Sequence, residues 1–116
     1  MPLVTIRRNP RKITDARLEH IIAHLPVIIA GALTCREGGL TSSDIMIEAS
    51  DTGPFDTNVK DISIVVYAHR YPERVADLEV RQQAMSRMIV AHLPDGVSWY
   101  VWVFLLESSY GSDTTG

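Results

Sequence analysis

Cys35 is the only cysteine, so no internal disulfide can form and no second thiol is available to build a cysteine zinc pair. Basic charge is in short supply: 11 Lys and Arg against 14 Asp and Glu leave a net charge of −3, which argues against a non-specific nucleic-acid surface. A local basic pocket for a small anion is still compatible with that balance. No stretch approaches the ~20 apolar residues of a membrane helix, and no long apolar run follows Met1 to Arg8, as a secretory signal would require. A cytoplasmic protein with no membrane or nucleic-acid partner is expected. There is also no glycine-rich phosphate loop, no serine-nucleophile elbow and no zinc spacing. Hydrophobic residues make up 46% and charged residues 22%, the balance of a globular chain rather than a disordered one. At 116 residues, a division would leave two pieces too small to bury a core, so a single domain over 1–116 is expected.

The order of elements is legible from periodicity. Leu3 to Arg8 reads as a short strand and is broken by Asn9-Pro10-Arg11-Lys12. Thr14 suits an N-cap, with Ile13 and Leu18 placed for a hydrophobic staple. Leu18, Ile21, Ile22, Leu25, Ile28, Ile29 and Ala32 then trace one helical face, with Pro26 expected to kink or divide the helix. Gly31 and the pair Gly38-Gly39 bring this helix to a close. A second strand covers Ile45 to Ala49, and Asp51-Thr52-Gly53-Pro54 is a strong turn signal. A third strand covers Asp61 to Ala68. Pro72 suits the first turn of a second helix bearing Val75, Leu78, Met85, Met88, Ile89 and Leu93 on one side. Pro94-Asp95-Gly96 stops it, and Val97 to Leu106 forms a fourth strand.

This is an α/β (α+β) pattern: two consecutive β-α-β units, about 2–50 and 61–107, with a tail at 108–116. Helical crossovers let each strand pair run parallel in one four-stranded mixed sheet, with two helices on one face. The fourth strand is apolar at intervening as well as alternate positions, which implies cover on both faces. Two helices cannot supply both covers, so a homo-oligomer is expected.

Several side chains could carry chemistry. Removal of Met1 would expose Pro2 as a secondary amine, whose ordinary pKa near ~8 falls with burial or nearby cations, toward that of a catalytic base. Arg70 and Arg74 stand where the third strand passes into the second helix, a place suited to gripping a carboxylate, although solvated arginines are the commoner outcome. Arg7 and Arg8 point to opposite faces, so at most one reaches a shared pocket. His69 borders that region, Glu107 could orient a water or end the strand, and Tyr67 and Tyr110 could donate to an oxyanion. His20 and His24 lie one helical turn apart, but no third ligand is evident, so solvent-facing histidines and no metal are expected.

Pro2 after Met1, a strand beginning at residue 3 and two β-α-β units together resemble the tautomerase superfamily over nearly the whole chain. The length resembles the branches of macrophage migration inhibitory factor, cis-3-chloroacrylic acid dehalogenase and malonate semialdehyde decarboxylase. The segment Ile64 to Arg74, continuing through Ala76-Asp77-Leu78, resembles the latter two branches most closely. The resemblance implies a tautomerase-like, cofactor-independent homotrimer acting on a small carboxylate substrate, with Pro2 catalytic and Arg70 and Arg74 holding the carboxylate. It also implies departures: Phe104 stands where an active-site tyrosine belongs, and Ile29 falls near a helical histidine of the dehalogenase. No counterpart of the dehalogenase's water-activating glutamate is found. The alternative is a non-catalytic binding or interaction module, since the same element order occurs in ferredoxin-like domains.

Overall fold

In the computed structural model, which describes residues 1–116, Val4, Ile6 and Arg8 turn one way from the first strand while Leu3, Thr5 and Arg7 turn the other. This strand, β1 (Leu3–Arg8), is followed by α1 (Asp15–Leu33), β2 (Met46–Asp51), β3 (Ile62–His69), α2 (Pro72–Ala76), α3 (Leu78–Val90) and β4 (Trp99–Leu106). The strands form one four-stranded sheet in the order β2-β1-β3-β4. Each half contributes a parallel pair, β1 with β2 and β3 with β4, and the halves join antiparallel through β1 and β3. The mixed sheet with its helices on one face follows from two right-sized crossovers.

The core lies on the helix-covered face. Val4 and Ile6 of β1 and Ile62, Ile64, Val66 and Ala68 of β3 meet Ile21, Leu25, Ile28, Ile29 and Leu33 of α1 and Met85 and Ile89 of α3. Thr14 caps α1 by accepting the Arg17 N–H, as the sequence suggests. Pro26 does not divide α1, because the buried residues on both sides of it pack in the same core and only one backbone donor is lost. At 19 residues α1 is long and apolar enough, by length and composition, to cross a membrane. That corrects the expectation that no such stretch exists, although six of its residues are buried within the domain.

The second helix differs from expectation. It is broken at Asp77 (φ −131°, ψ 31°) into α2 and α3, and Val75 and Met88, expected on its apolar side, are exposed. The break has a use. Asp77 accepts Arg81 Nε at 2.6 Å, and Arg81 Nη1 donates to the carbonyls of Ala32 and Thr34. Those groups end α1, whose last turn has no basic residue of its own. A cation from the other half therefore caps it.

β4 is an edge strand. Val101, Val103 and Leu105 pack against the core, while Trp102, Phe104 and Leu106 point to the uncovered face. In the single chain this face carries a stack of rings, Tyr67 on Phe104 at 5.7 Å and Phe104 on Trp102 at 5.6 Å. The expected second cover is not supplied within the chain.

Candidate active site

Pro2 is buried ahead of β1, and its carbonyl accepts the Met46 N–H at 3.0 Å, extending the β1–β2 ladder. It lines a cleft of about 370 Å³ whose other walls come from Met1, the 37–40 loop, Asp44, His69, Tyr71, Arg74 and Tyr110. With Met1 in place the Pro2 nitrogen is a tertiary amide without basicity. Met1 is half-exposed and its Sδ lies 3.8 Å from the Tyr110 hydroxyl.

Arg74 is the cation of this cleft. It is only 2% exposed. Its Nε donates to Leu33 O at 2.7 Å, Nη1 to His69 O at 2.9 Å and Nη2 to Gly38 O at 3.0 Å. The guanidinium also lies 4.8 Å from the centre of the Tyr71 ring. No carboxylate pairs with it within 4.0 Å. A guanidinium has five N–H donors, so these three bonds leave one on each terminal nitrogen. A buried cation satisfied only by carbonyls keeps its full charge for an incoming anion.

The loop opposite is shaped to this arginine. A Cβ on Gly38 would overlap the Tyr71 ring and approach Arg74 Nη2 to 2.9 Å. Gly38 is therefore required for close backbone approach and not, as the sequence suggested for it and Gly31, for closing the helix: α1 runs through Gly31 to Leu33 and is capped at Thr34. Its carbonyl is one of the three that hold Arg74. Asp44 is drawn into the cleft wall by its bond from the Thr41 N–H at 2.8 Å.

The remaining predicted residues fall in five places. His69 lines the Pro2 cleft, with its Nδ1 2.9 Å from Ser108 Oγ and its ring edge-on to Tyr71. Arg70 is exposed and opens instead on a second cavity of about 570 Å³, shared with Glu107, so the two arginines do not face one pocket in the single chain. Arg7 stands near the far end of β1, roughly 17 Å from Pro2 at the rise of a strand, and faces Asp56 at 3.8 Å. Tyr67 and Phe104 are in register with Leu3 on the open face of the sheet, one residue beyond Pro2. Ile29 is a fully buried core residue.

Three contributors had no sequence signal strong enough to name them. Tyr71 and Glu37 look like ordinary loop residues, and Gly38 reads first as a helix terminator. The third histidine was also missed. His92, in the turn after α3, joins His20 and His24 with ligand atoms all within 4.8 Å of one another. Desolvation first, and then the nearby His24 and His20, hold the His92 imidazole below its ordinary pKa.

No family model and no curated protein matches the sequence. Solved structures do match the fold. A macrophage migration inhibitory factor-like protein from Entamoeba histolytica aligns with 97% of this chain and 95% of its own, at TM-score 0.64 and 14% identity. FG41 malonate semialdehyde decarboxylase, solved with 3-bromopropiolate as inhibitor, aligns with 97% of this chain and 91% of its own, at TM-score 0.65 and 13% identity. A fused 4-OT symmetric trimer covers 90% of this chain and 85% of its own, at TM-score 0.62 and 14% identity. The chain thus shares the fold of these proteins.

Proposed function

We propose that this protein is a cofactor-independent tautomerase of small 2-oxo or unsaturated carboxylic acids, with Pro2 as the proton carrier once Met1 has been removed. The observation that carries this reading is the buried Arg74 guanidinium, unpaired with any carboxylate, in the wall of the cleft that Pro2 also lines. The substrate carboxylate takes the two donors that the backbone leaves free. The Pro2 lone pair then removes a proton from the carbon next to the carbonyl, the electron pair moves onto the carbonyl oxygen, and the proton is returned to that oxygen as the enol forms. The reverse sequence regenerates the keto acid and the free amine. Burial of Pro2 and the charge of Arg74 both favour the neutral amine, the form a base requires.

Arg70 and Glu107 serve a second cavity in the single chain, so the first grip on the carboxylate falls to Arg74 and a smaller role to Arg70. Decarboxylation of a 3-oxo acid is the close variant, with protonated Pro2 as acid. The open sheet face, with Tyr67, Trp102 and Phe104, is the surface on which subunits pack, in a trimer by likeness to the fused 4-OT assembly. The test is a screen of enolisable 2-oxo acids and haloacrylates against protein whose mass shows Met1 to be gone. Turnover should vanish in a folded Pro2→Ala variant, and full activity there would sink the reading.

A non-catalytic small-molecule-binding protein on the same fold is the second reading. It is favoured by one observation: three carbonyl bonds account for the burial of Arg74 without any ligand. Intact mass of the natively expressed, untagged protein separates the two, because persistent Met1 leaves Pro2 without a basic nitrogen.

A further inference from the structure

His20 and His24 project from one flank of α1, and the turn after α3 brings His92, 72 residues from His20 in sequence, against them. Neither Pro2 nor Arg74 lies in this cluster. His24 Nδ1 is 2.8 Å from the His20 carbonyl, an oxygen that can only accept, so Nδ1 carries the proton and the Nε2 lone pair is free. This is the backbone-carbonyl bond that commonly fixes the tautomer of a metal-binding histidine. His20 Nε2 and His92 Nδ1 stand 3.0 Å apart and share a single proton between two ring nitrogens. Two imidazoles bound to one ion at the usual zinc–nitrogen length have nitrogens about 2.9 to 3.4 Å apart, from right-angled to tetrahedral geometry. The pair is already spaced for an ion in place of the shared proton, and His24, stacked 4.3 Å from His92 with its ligand atom within 4.8 Å of the other two, completes the set by turning its ring.

We propose that His20, His24 and His92 form a binding site for a first-row divalent transition ion of the zinc class, with water in the remaining position. Three imidazoles without a carboxylate or thiolate suit zinc, nickel, copper or cobalt and not magnesium or calcium. The bound ion clamps α1 to the turn that leads from α3 into β4, and stabilises the folded chain by mass action.

The experiment uses the full chain without a histidine tag. Cobalt(II) is titrated by visible absorption, zinc(II) by calorimetry, and melting is followed with and without zinc. One ion per chain, a ligand-field spectrum and a zinc-dependent rise in melting temperature are expected. His92→Ala and His24→Ala should each weaken binding at least tenfold and abolish the rise. His24 is exposed, so its removal leaves the fold intact and keeps the test valid if His92→Ala misfolds. Binding weaker than millimolar, or equal affinity in His24→Ala, would overturn the site and show the histidines to be a stacked surface cluster. Pro2→Ala should bind zinc as the parent does, so the outcome is independent of the tautomerase reading.

Discussion

Arg8 and Arg74 are the two buried arginines of the molecule, one ending the first strand of the first half and one following the first strand of the second half. Arg8 is neutralised twice, by Asp15 at 2.6 Å and Asp51 at 2.9 Å, and donates to Ile13 O. These hydrogen-bonded carboxylates, Asp51 foremost, raise its pKa further. Arg74 meets only carbonyls and a ring. The halves of the fold solve the same problem, a guanidinium among apolar neighbours, in two ways. One solution spends the charge on the protein's own anions. The other spends only part of its hydrogen-bonding capacity and leaves the charge for a ligand, and it is this one that lies beside Pro2.

The largest expected effect separates the two arginines by stability. Arg74→Ala strands the carbonyls of Leu33, His69 and Gly38 and should cost about 3 kcal/mol or more in urea unfolding. Arg8→Ala should cost less, because water can resolvate Asp15 and Asp51, whose side chains are 86% and 51% exposed. Equal losses would dissolve the distinction. Gly38→Ala should come next, at about 1 to 3 kcal/mol, since the Tyr71 ring must move and Arg74 with it. Gly39→Asp sharpens the comparison by making Arg74 resemble Arg8. A Cβ at 39 meets nothing closer than 3.9 Å, so the variant should fold while a carboxylate in the cleft weakens substrate binding about tenfold, roughly 1.4 kcal/mol.

The smallest effect lies outside both sites. The pKa of His92 is lowered on folding, so the unfolded chain binds its proton more readily than the folded one. The corresponding stability is present above the ordinary value of 6.5 and declines as pH falls through and below it. Melting temperature should drop modestly between about pH 7.5 and 5.5, and His92→Gln should flatten that slope.

Much of the fold was written in local pattern. The alternation of Leu3 to Arg8, the stripe from Leu18 to Ala32 and the Pro94-Asp95-Gly96 stop each lie within a single element, and the elements form close to where those signals stand. The signals failed where a distant group decided the outcome. Asp77 breaks the second helix while holding Arg81 on the end of α1, a partnership 49 residues long that no window of sequence contains. The site was legible as a list and not as a geometry. Pro2, His69 and Arg74 meet in one cleft, but Arg70, four residues from Arg74, opens on another. Placing a helix start between them turned two neighbouring arginines to different cavities. His92 was invisible because its partners stand on α1, His20 being 72 residues away.

Exchange of the carbon-bound hydrogens next to the carbonyl of a simple 2-oxo acid, followed by proton NMR in deuterated water, reports directly on a base positioned beside a held carboxylate. Protein freed of Met1 should accelerate that exchange, and a folded Pro2→Ala variant should lose roughly a hundredfold or more of the acceleration. Exchange at the same rate with and without the proline nitrogen would contradict the account.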